Sequence, residues 1–271
     1  MSILNFIPEL WNVGMMDYME KAHVYGKICR CEIDAPITRM GQTVHISGIG
    51  DITIGTYTGA DIDMQTLSDA GLTMKIAYAD YFNFWVNDVD ALQANANVMN
   101  AATKKSSYKM KDKSDGRIYD AMVAAAGLTG PTEGALDVTA AISNVAEMDL
   151  LLKEEEIPPE DRWLTIPHWM GTKLLLAGIY HAQDLKGNIN GFINRVLGPD
   201  MYESGNNAAT VVLAGSYGAV AYAEQIIKTK AFEPEKRFGN ALKGLHVYGV
   251  KVVKANELAI GAFTEGVETL I

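Results

Sequence analysis

Residues Tyr81-Phe-Asn-Phe-Trp-Val-Asn-Asp-Val-Asp90 mark an abrupt change from the pattern of a β-strand to that of a long helix. Aromatic residues fill the first half, whereas Asn87 is a good helix N-cap, and Asp88 and Asp90 suit the positive end of a helix dipole. The helical pattern continues to about Ala126. At 1.5 Å per residue it predicts a rod of about 58 Å, longer than the helix of a typical domain.

The apolar stripe of this predicted helix is narrow. Its apolar residues fall within about a third of the helical wheel and are Val89, Leu92, Ala96, Met99, Met110, Ile118 and Ala125. Thr103, Ser106 and Ser114 occupy the stripe near its middle. We therefore expect a helix that its own domain buries only in part.

The segment from about residue 32 to 79 predicts a long β-arm with two limbs. Apolar residues alternate with polar ones at Val44 and Ile46, at Ile52 and Ile54, and along 72–78. Two limbs with little apolar core between them are marginally stable alone. We therefore expect the arm to lean on another subunit; the alternative is an ordinary hairpin that packs on its own domain.

The first 31 residues predict an N-terminal arm with one short amphipathic helix, in which Trp11, Met15 and Met19 recur at helical spacing. With the β-arm, it supplies the apolar residues that we predict to contact other subunits. These candidates are Ile52, Ile54, Tyr57, Met64 and Trp11.

The rest of the chain predicts a mixed α/β region. A helix is expected from about Asp137 to Glu156 and another from Trp169 to Ile179, with a short buried strand at 162–167 between them. Further strands are expected at about 194–197, 210–214 and 244–254. The stretch 127–131 is expected to break the long helix.

Composition limits the classes of protein. The net charge of -10 argues against a protein whose main task is to grip nucleic acid, since that affinity comes from neutralising phosphates. No stretch approaches 18 uninterrupted apolar residues, so no membrane span is expected. Cys29 and Cys31 are too badly placed for a disulfide, so we expect free thiols and a reducing cytoplasm.

No pattern of catalytic or metal-binding residues stands out, so we expect no enzyme, no metal and no cofactor. The five histidines include no pair at i, i+3 or i, i+4. The only basic cluster is Lys104, Lys105, Lys109, Lys111 and Lys113, which spreads over more than half of the helical wheel. We interpret it as a solvated helix face; the alternative is a contact with packaged DNA or a scaffold protein.

Five segments in order resemble the Hong Kong 97-like major capsid proteins of tailed bacteriophages. They are Phe6–Trp11, Gly41–Asp51, Phe82–Asp90, Pro158–Pro167 and Phe238–Gly249. The resemblance implies an α+β capsid fold with an N-terminal arm, an extended β-hairpin loop, a long spine helix, and peripheral and axial domains. The implied ranges are 1–31 for the arm, 32–78 for the loop, 79–128 with 245–260 for the peripheral domain, 129–244 for the axial domain, and 261–271 for a C-terminal tail.

The resemblance also implies a function. The chain is expected to assemble into hexamers and pentamers of an icosahedral shell around double-stranded DNA, first as a procapsid in the host cytoplasm and finally in the virion. Expected partners are copies of itself, portal and scaffolding proteins, a decoration protein, and packaged DNA through non-specific proximity. The alternatives are an encapsulin-type nanocompartment shell and, more distantly, an unrelated soluble enzyme.

Overall fold

The structure is a computed structural model of the chain. It describes residues 24–30, 37, 39–46, 52–54, 56, 64–66, 71–87, 98–177, 192–195, 198–208, 210–233 and 239–266. Of the predicted contact residues, Trp11 and Tyr57 lie outside this part of the chain. The described residues form a mixed α+β fold, as the sequence predicts.

The base of the predicted β-arm consists of two short antiparallel strands. β1 (Thr43–Ile46) pairs with β2 (Leu72–Lys75), and Val44 lies opposite Met74. This confirms one strand in each limb. The strand predicted around Ile52 and Ile54 is wrong, because residues 52–54 are exposed and no strand in the described part of the chain pairs with them.

A three-stranded antiparallel sheet carries the long helix on one face. Its order is β3-β10-β9, with β3 at Tyr78–Asn87, β9 at Val220–Phe232 and β10 at Gly239–Val252. The short helix α1 (Tyr25–Ile28) and the long helix α2 (Val98–Ala125) pack against each other. The 28 residues of α2, about 42 Å, confirm the long helix over this range. Its predicted start at 88–97 lies outside the described residues.

A six-stranded mixed sheet forms the other half of the fold. Its order is β4-β11-β8-β5-β7-β6, and the strands are β4 (Leu128–Leu136), β5 (Arg162–Ile166), β6 (Phe192–Arg195), β7 (Asp200–Glu203), β8 (Val211–Ser216) and β11 (Leu258–Glu265). Helices α3 (Val138–Glu154) and α4 (His168–Leu176) match the two predicted helices over the described residues. The Asp137 side chain caps α3 by accepting a hydrogen bond of 2.7 Å from the Ala140 amide.

Two strands lie where the sequence predicts something else. β4 occupies the stretch 127–131, which was expected only to break the helix. A strand can tolerate Gly130 and Pro131 here because β4 lies at the edge of the sheet and its register shifts at these two residues. A side chain at Gly130 would overlap Met148, which explains the glycine. β11 crosses the expected boundary at 260, since it continues to Glu265 between β4 and β8.

The two sheets share one apolar core where they meet. Trp163 and Leu258 of the six-stranded sheet pack with Ile118 and Met122 of α2 and with Tyr248 of β10. None of the described helices is both long and apolar enough to cross a membrane. The long helix α2 and the base of the β-arm pack on opposite faces of the three-stranded sheet.

Candidate assembly surfaces

The outer part of the β-arm exposes large apolar side chains. Ile52 is 62% exposed, Ile54 is 93% exposed and Met64 is 98% exposed. Exposure of several large apolar groups in one segment is typical of a surface that contacts another protein. Their role as contact residues stays a prediction, as does that of Trp11 and Tyr57, which lie outside the described residues.

The base of the arm is fixed to its own subunit. Val44, Met74 and Ile76 are buried against Ala223 and Val247, on the face of the three-stranded sheet opposite α2. The arm backbone approaches β10 closely, since a Cβ added to Gly249 would lie 2.8 Å from the Lys75 carbonyl oxygen. The alternative of a hairpin packed on its own domain therefore holds for the base and not for residues 52–54 and 64–66.

Beyond this base, the same sheet face carries aromatic and basic side chains, most of which are exposed. Tyr81 is 77% exposed, and strand pairing brings Trp85 beside β10 and Lys243 beside Lys230. The Lys243 ammonium lies 4.8 Å from the centre of the Phe232 ring. We call these residues, Tyr81, Trp85, Lys230, Phe232 and Lys243, the open sheet face.

The sequence analysis missed the open sheet face for a physical reason. Residues 81–86 are aromatic or apolar at most positions, so they lack the polar alternation that marks an exposed side. No element was predicted over β9, which contributes Lys230 and Phe232. The pairing of the strands, which sequence reasoning did not supply, brings the five residues together.

The opposite face of the sheet binds α2 through charged groups. The Asp80 carboxylate of β3 accepts hydrogen bonds of 2.7 Å from Lys113 and 2.7 Å from the Tyr248 hydroxyl, and it lies 3.4 Å from Arg117. The Arg117 guanidinium also covers the Tyr78 ring at 4.6 Å. Burial alone would raise the pKa of Asp80, but these donors and the two cations lower it below its ordinary value.

A second polar group lies farther along this interface. His246 is fully buried, with Nε2 at 3.0 Å from a Glu224 oxygen that also accepts a 2.6 Å hydrogen bond from Tyr222. Burial, reinforced by the Glu224 charge, raises the pKa of Tyr222 well above its usual value. The His246 ring stacks on Tyr248 with centroids 4.8 Å apart. These contacts indicate a buried histidine with a structural role, and its Nδ1 atom has no hydrogen-bond partner in the described part of the chain.

The lysine cluster on α2 needs one correction. Lys111, interpreted as part of a solvated face, is almost completely buried, whereas Lys104, Lys105, Lys109 and Lys113 are exposed. Lys111 lies one turn before the buried Asp115, close enough for its charge to act on that carboxyl group. A charge pattern alone could not reveal this, because a lysine run is usually solvated.

The described residues contain no group of three or more histidine, cysteine or acidic side chains placed to hold a metal ion. Of the histidines, His45 and His168 are exposed and His246 is buried; His23 and His181 lie outside the described residues. Cys29 is a buried thiol, and Cys31 also lies outside. The surfaces that stand out in the described part of the chain are the apolar outer arm and the aromatic and basic open sheet face.

Solved structures reveal what the fold is. No family model and no curated protein matches the sequence. A chain of Mycobacterium phage Che8 is similar with a TM-score of 0.69 and 23% identity, covering 96% of this chain and 98% of that chain. The capsid of cyanophage P-SCSP1u is similar with a TM-score of 0.68 and 12% identity, covering 90% and 89%. The chain has the fold of phage capsid proteins.

The similarity extends beyond phages. A virus-like particle from Pyrococcus furiosus has a TM-score of 0.59 at 10% identity, covering 93% of this chain and 97% of that chain. The capsid-protein fold thus occurs across very different sequences. Because nearly the whole length of each neighbour is matched, the similarity concerns the fold as a whole and not one part of it.

Proposed function

We propose that the chain is the major capsid protein of a tailed bacteriophage, with the Hong Kong 97-like arrangement, and that it has no catalytic role. It would assemble into hexamers and pentamers of an icosahedral shell around the double-stranded DNA genome. The observation that carries the proposal is the similarity to phage capsid chains over almost the full length of both partners. Portal, scaffolding and decoration proteins, and the DNA inside, would be its further partners.

The sheets suggest how the subunit is divided. The peripheral domain would comprise β3, α2, β9 and β10, because these elements form one sheet and its covering helix. The axial domain would comprise the six-stranded sheet with α3 and α4. Compared with the division expected from the sequence, β9 moves to the peripheral domain and β11 to the axial domain.

The charges suggest how neighbouring subunits contact each other. Residues 47–70 contain four acidic residues, Asp51, Asp61, Asp63 and Asp69, and no lysine, arginine or histidine. The open sheet face has two exposed lysines beside exposed aromatic rings. In this proposal the outer β-arm of one subunit, with Ile52, Ile54, Tyr57 and Met64, covers the open sheet face of a neighbour.

Charge reversal tests this contact. Lys230→Glu with Lys243→Glu should reduce shell yield at low salt at least tenfold, because the acidic arm is then repelled. Adding Asp61→Lys with Asp63→Lys should restore assembly. Lys104→Glu with Lys105→Glu, which changes the same charge on exposed α2 residues, is the matched control and should assemble normally. Normal assembly of the Lys230/Lys243 variant, or absence of rescue, contradicts the contact.

A deletion tests whether the outer arm serves assembly rather than folding. Replacing Gly48–Asp69 by a short turn leaves β1, β2 and their buried contacts with Val247 in place. The variant should unfold cooperatively like the intact subunit but form no shells. Loss of the folded state in circular dichroism would show that the outer arm belongs to the subunit's own core.

A protein-loaded compartment is the second candidate, because the Pyrococcus furiosus virus-like particle shares the fold. The chains of phage Che8 and cyanophage P-SCSP1u have higher TM-scores than this particle, which favours the capsid. The contents of purified particles distinguish the two. Nuclease-protected double-stranded DNA supports the capsid, whereas a stoichiometric enzyme inside the shell supports the compartment.

A further inference from the structure

The outward side of α2 carries a row of lysines. Lys105 and Lys109 are exposed, and neither forms a hydrogen bond or an ion pair in the described part of the chain. They are four residues apart, so their side chains follow one another along the helix at an interval of about 6 Å. Lys104 and Tyr108 are exposed beside them. We call these four residues the basic helix face.

This face is basic although the chain as a whole is acidic. α2 holds six lysine and arginine residues against three aspartates, whereas the net charge of the chain is -10. Between residues 101 and 113 the only acidic side chain is Asp112. A local positive field of this kind attracts a polyanion even when the net charge of the protein is negative.

The composition of the basic helix face indicates the class of its partner. Tyr108 is 63% exposed, and the other exposed residues from 101 to 113 are lysine, alanine or Asp112. A protein partner usually buries a cluster of large apolar anchors, which this face lacks. Lysine ammonium groups on flexible stems suit phosphate oxygens, to which a tyrosine hydroxyl can also donate. The chemistry therefore favours a nucleic-acid backbone.

The position of α2 gives this face a direction in the shell. α2 and the β-arm base pack on opposite faces of the three-stranded sheet. If the outer arm of a neighbour covers the open sheet face, the basic helix face lies on the other side of the shell wall. We propose that it lines the inside of the shell and contacts the phosphates of packaged double-stranded DNA.

This inference rests on the proposed function and adds the residues and the side of the subunit that meet the DNA. Each copy supplies only a few phosphate contacts, which carry no sequence information. Symmetry repeats the basic helix face over the whole inner wall, so individually weak contacts act together.

Binding of a short labelled DNA duplex to the unassembled subunit, followed by fluorescence anisotropy over a range of salt concentrations, tests the contact. The wild type should bind at low salt and release the duplex as salt rises. Lys105→Gln with Lys109→Gln should weaken binding at low salt at least tenfold. It should also make the slope of log affinity against log salt shallower by about 1.8, because each phosphate contact contributes about 0.9.

Lys75→Gln with Lys251→Gln is the matched control, because it removes the same charge from exposed lysines outside α2. This control should keep the wild-type affinity and slope. An equal loss in the control would overturn the inference, since binding would then report only the total charge. A wild-type subunit that does not bind the duplex at low salt, or that binds a polyglutamate peptide more tightly, would overturn it as well.

Acetylation of lysines in assembled particles, measured by mass spectrometry, tests the direction of the face. Lys105 and Lys109 should react several-fold more slowly in DNA-filled particles than in the same particles after DNA release. Equal rates in the two would overturn the inference. The Lys105/Lys109 variant should still form shells, so loss of DNA contact with normal shells separates this inference from the proposed function. A wild type that forms no shells would contradict the proposed function, and the duplex measurement would still decide whether α2 binds DNA.

Discussion

The two helix–sheet interfaces of this subunit differ in the share of apolar and charged contacts. α3 and α4 lie on the six-stranded sheet through an apolar cluster that includes Met148, Leu152, Leu164 and Met170. α2 lies on the three-stranded sheet through apolar residues such as Ile118 and Met122 and also through charged groups such as Asp80. The α3 interface holds the buried Arg162–Asp149 ion pair beside its apolar cluster. An apolar interface gains most of its stability from buried area, whereas a polar one depends on satisfied partners and on pH.

The difference suggests a division of work within the subunit. The apolar interface suits a rigid body, because its packing tolerates little change in position. The polar interface lies on the face of the three-stranded sheet opposite the β-arm base, which leads to the neighbouring subunit in our proposal. Charged contacts there can be altered by salt or protons while the six-stranded sheet keeps its core.

The largest effect is expected from a substitution that weakens the apolar interface between α3 and the six-stranded sheet. Leu152→Ala should lower the free energy of unfolding by about 2–5 kcal/mol, because the buried side chain leaves a cavity under α3. Leu150→Ala, on the exposed side of the same helix, is the control and should change it by less than about 0.5 kcal/mol. Urea denaturation of the unassembled subunit measures both. Equal effects would mean that α3 is not buried on this face.

An intermediate effect is expected from a substitution in the polar interface between α2 and the three-stranded sheet. Asp80→Asn should cost about 1–3 kcal/mol, because Lys113 and Arg117 lose a charged acceptor beside the buried Tyr248. Hydrogen exchange should increase in α2 while protection of α3 stays at the wild-type level. A uniform loss of protection would show that the two interfaces unfold as one unit.

A pH titration sharpens the same contrast. The lowered pKa of Asp80 means that its stabilisation is present above the ordinary value of 3.8 and is lost as the pH falls through the lower folded value. The free energy of unfolding of the wild type should therefore fall more steeply below pH 4 than that of Asp80→Asn. Parallel curves for the two proteins would remove Asp80 from the acid response.

The smallest effect is expected at Lys113, the exposed partner of the Asp80 carboxylate. Lys113→Ala should cost less than about 1 kcal/mol, because the lysine side chain is more than half exposed and water replaces much of its interaction. The loss should shrink further at high salt. A cost equal to that of Asp80→Asn would instead mean that Lys113, rather than Arg117 and Tyr248, holds the carboxylate.

The same contrast explains what the sequence could predict. α3 was predictable because apolar residues at helical spacing follow the capping residue Asp137. The partners of α2 were not predictable, because Lys111 and Asp115 look like any solvated pair on a helix until β9 is placed beside them. β4 was missed because an edge strand tolerates Gly130 and Pro131, which signal a turn in sequence alone.

The role of the outer-arm residues as contacts stays a prediction. Ile52, Ile54 and Met64 are exposed, as expected of an arm segment without a core. The open sheet face combines β3 with β9 and β10, which follow more than 130 residues later, and its receiving residues could be found only after the strands were paired.

A cryo-electron microscopy map of the particles formed by the purified protein, with scaffold or portal protein supplied where needed, tests the central claim most directly. We predict closed icosahedral shells of hexamers and pentamers, with residues 47–70 of one subunit over Tyr81, Trp85 and Lys243 of its neighbour. A protein that stays monomeric at high concentration, or forms only a small discrete oligomer under all these conditions, would contradict the proposed function.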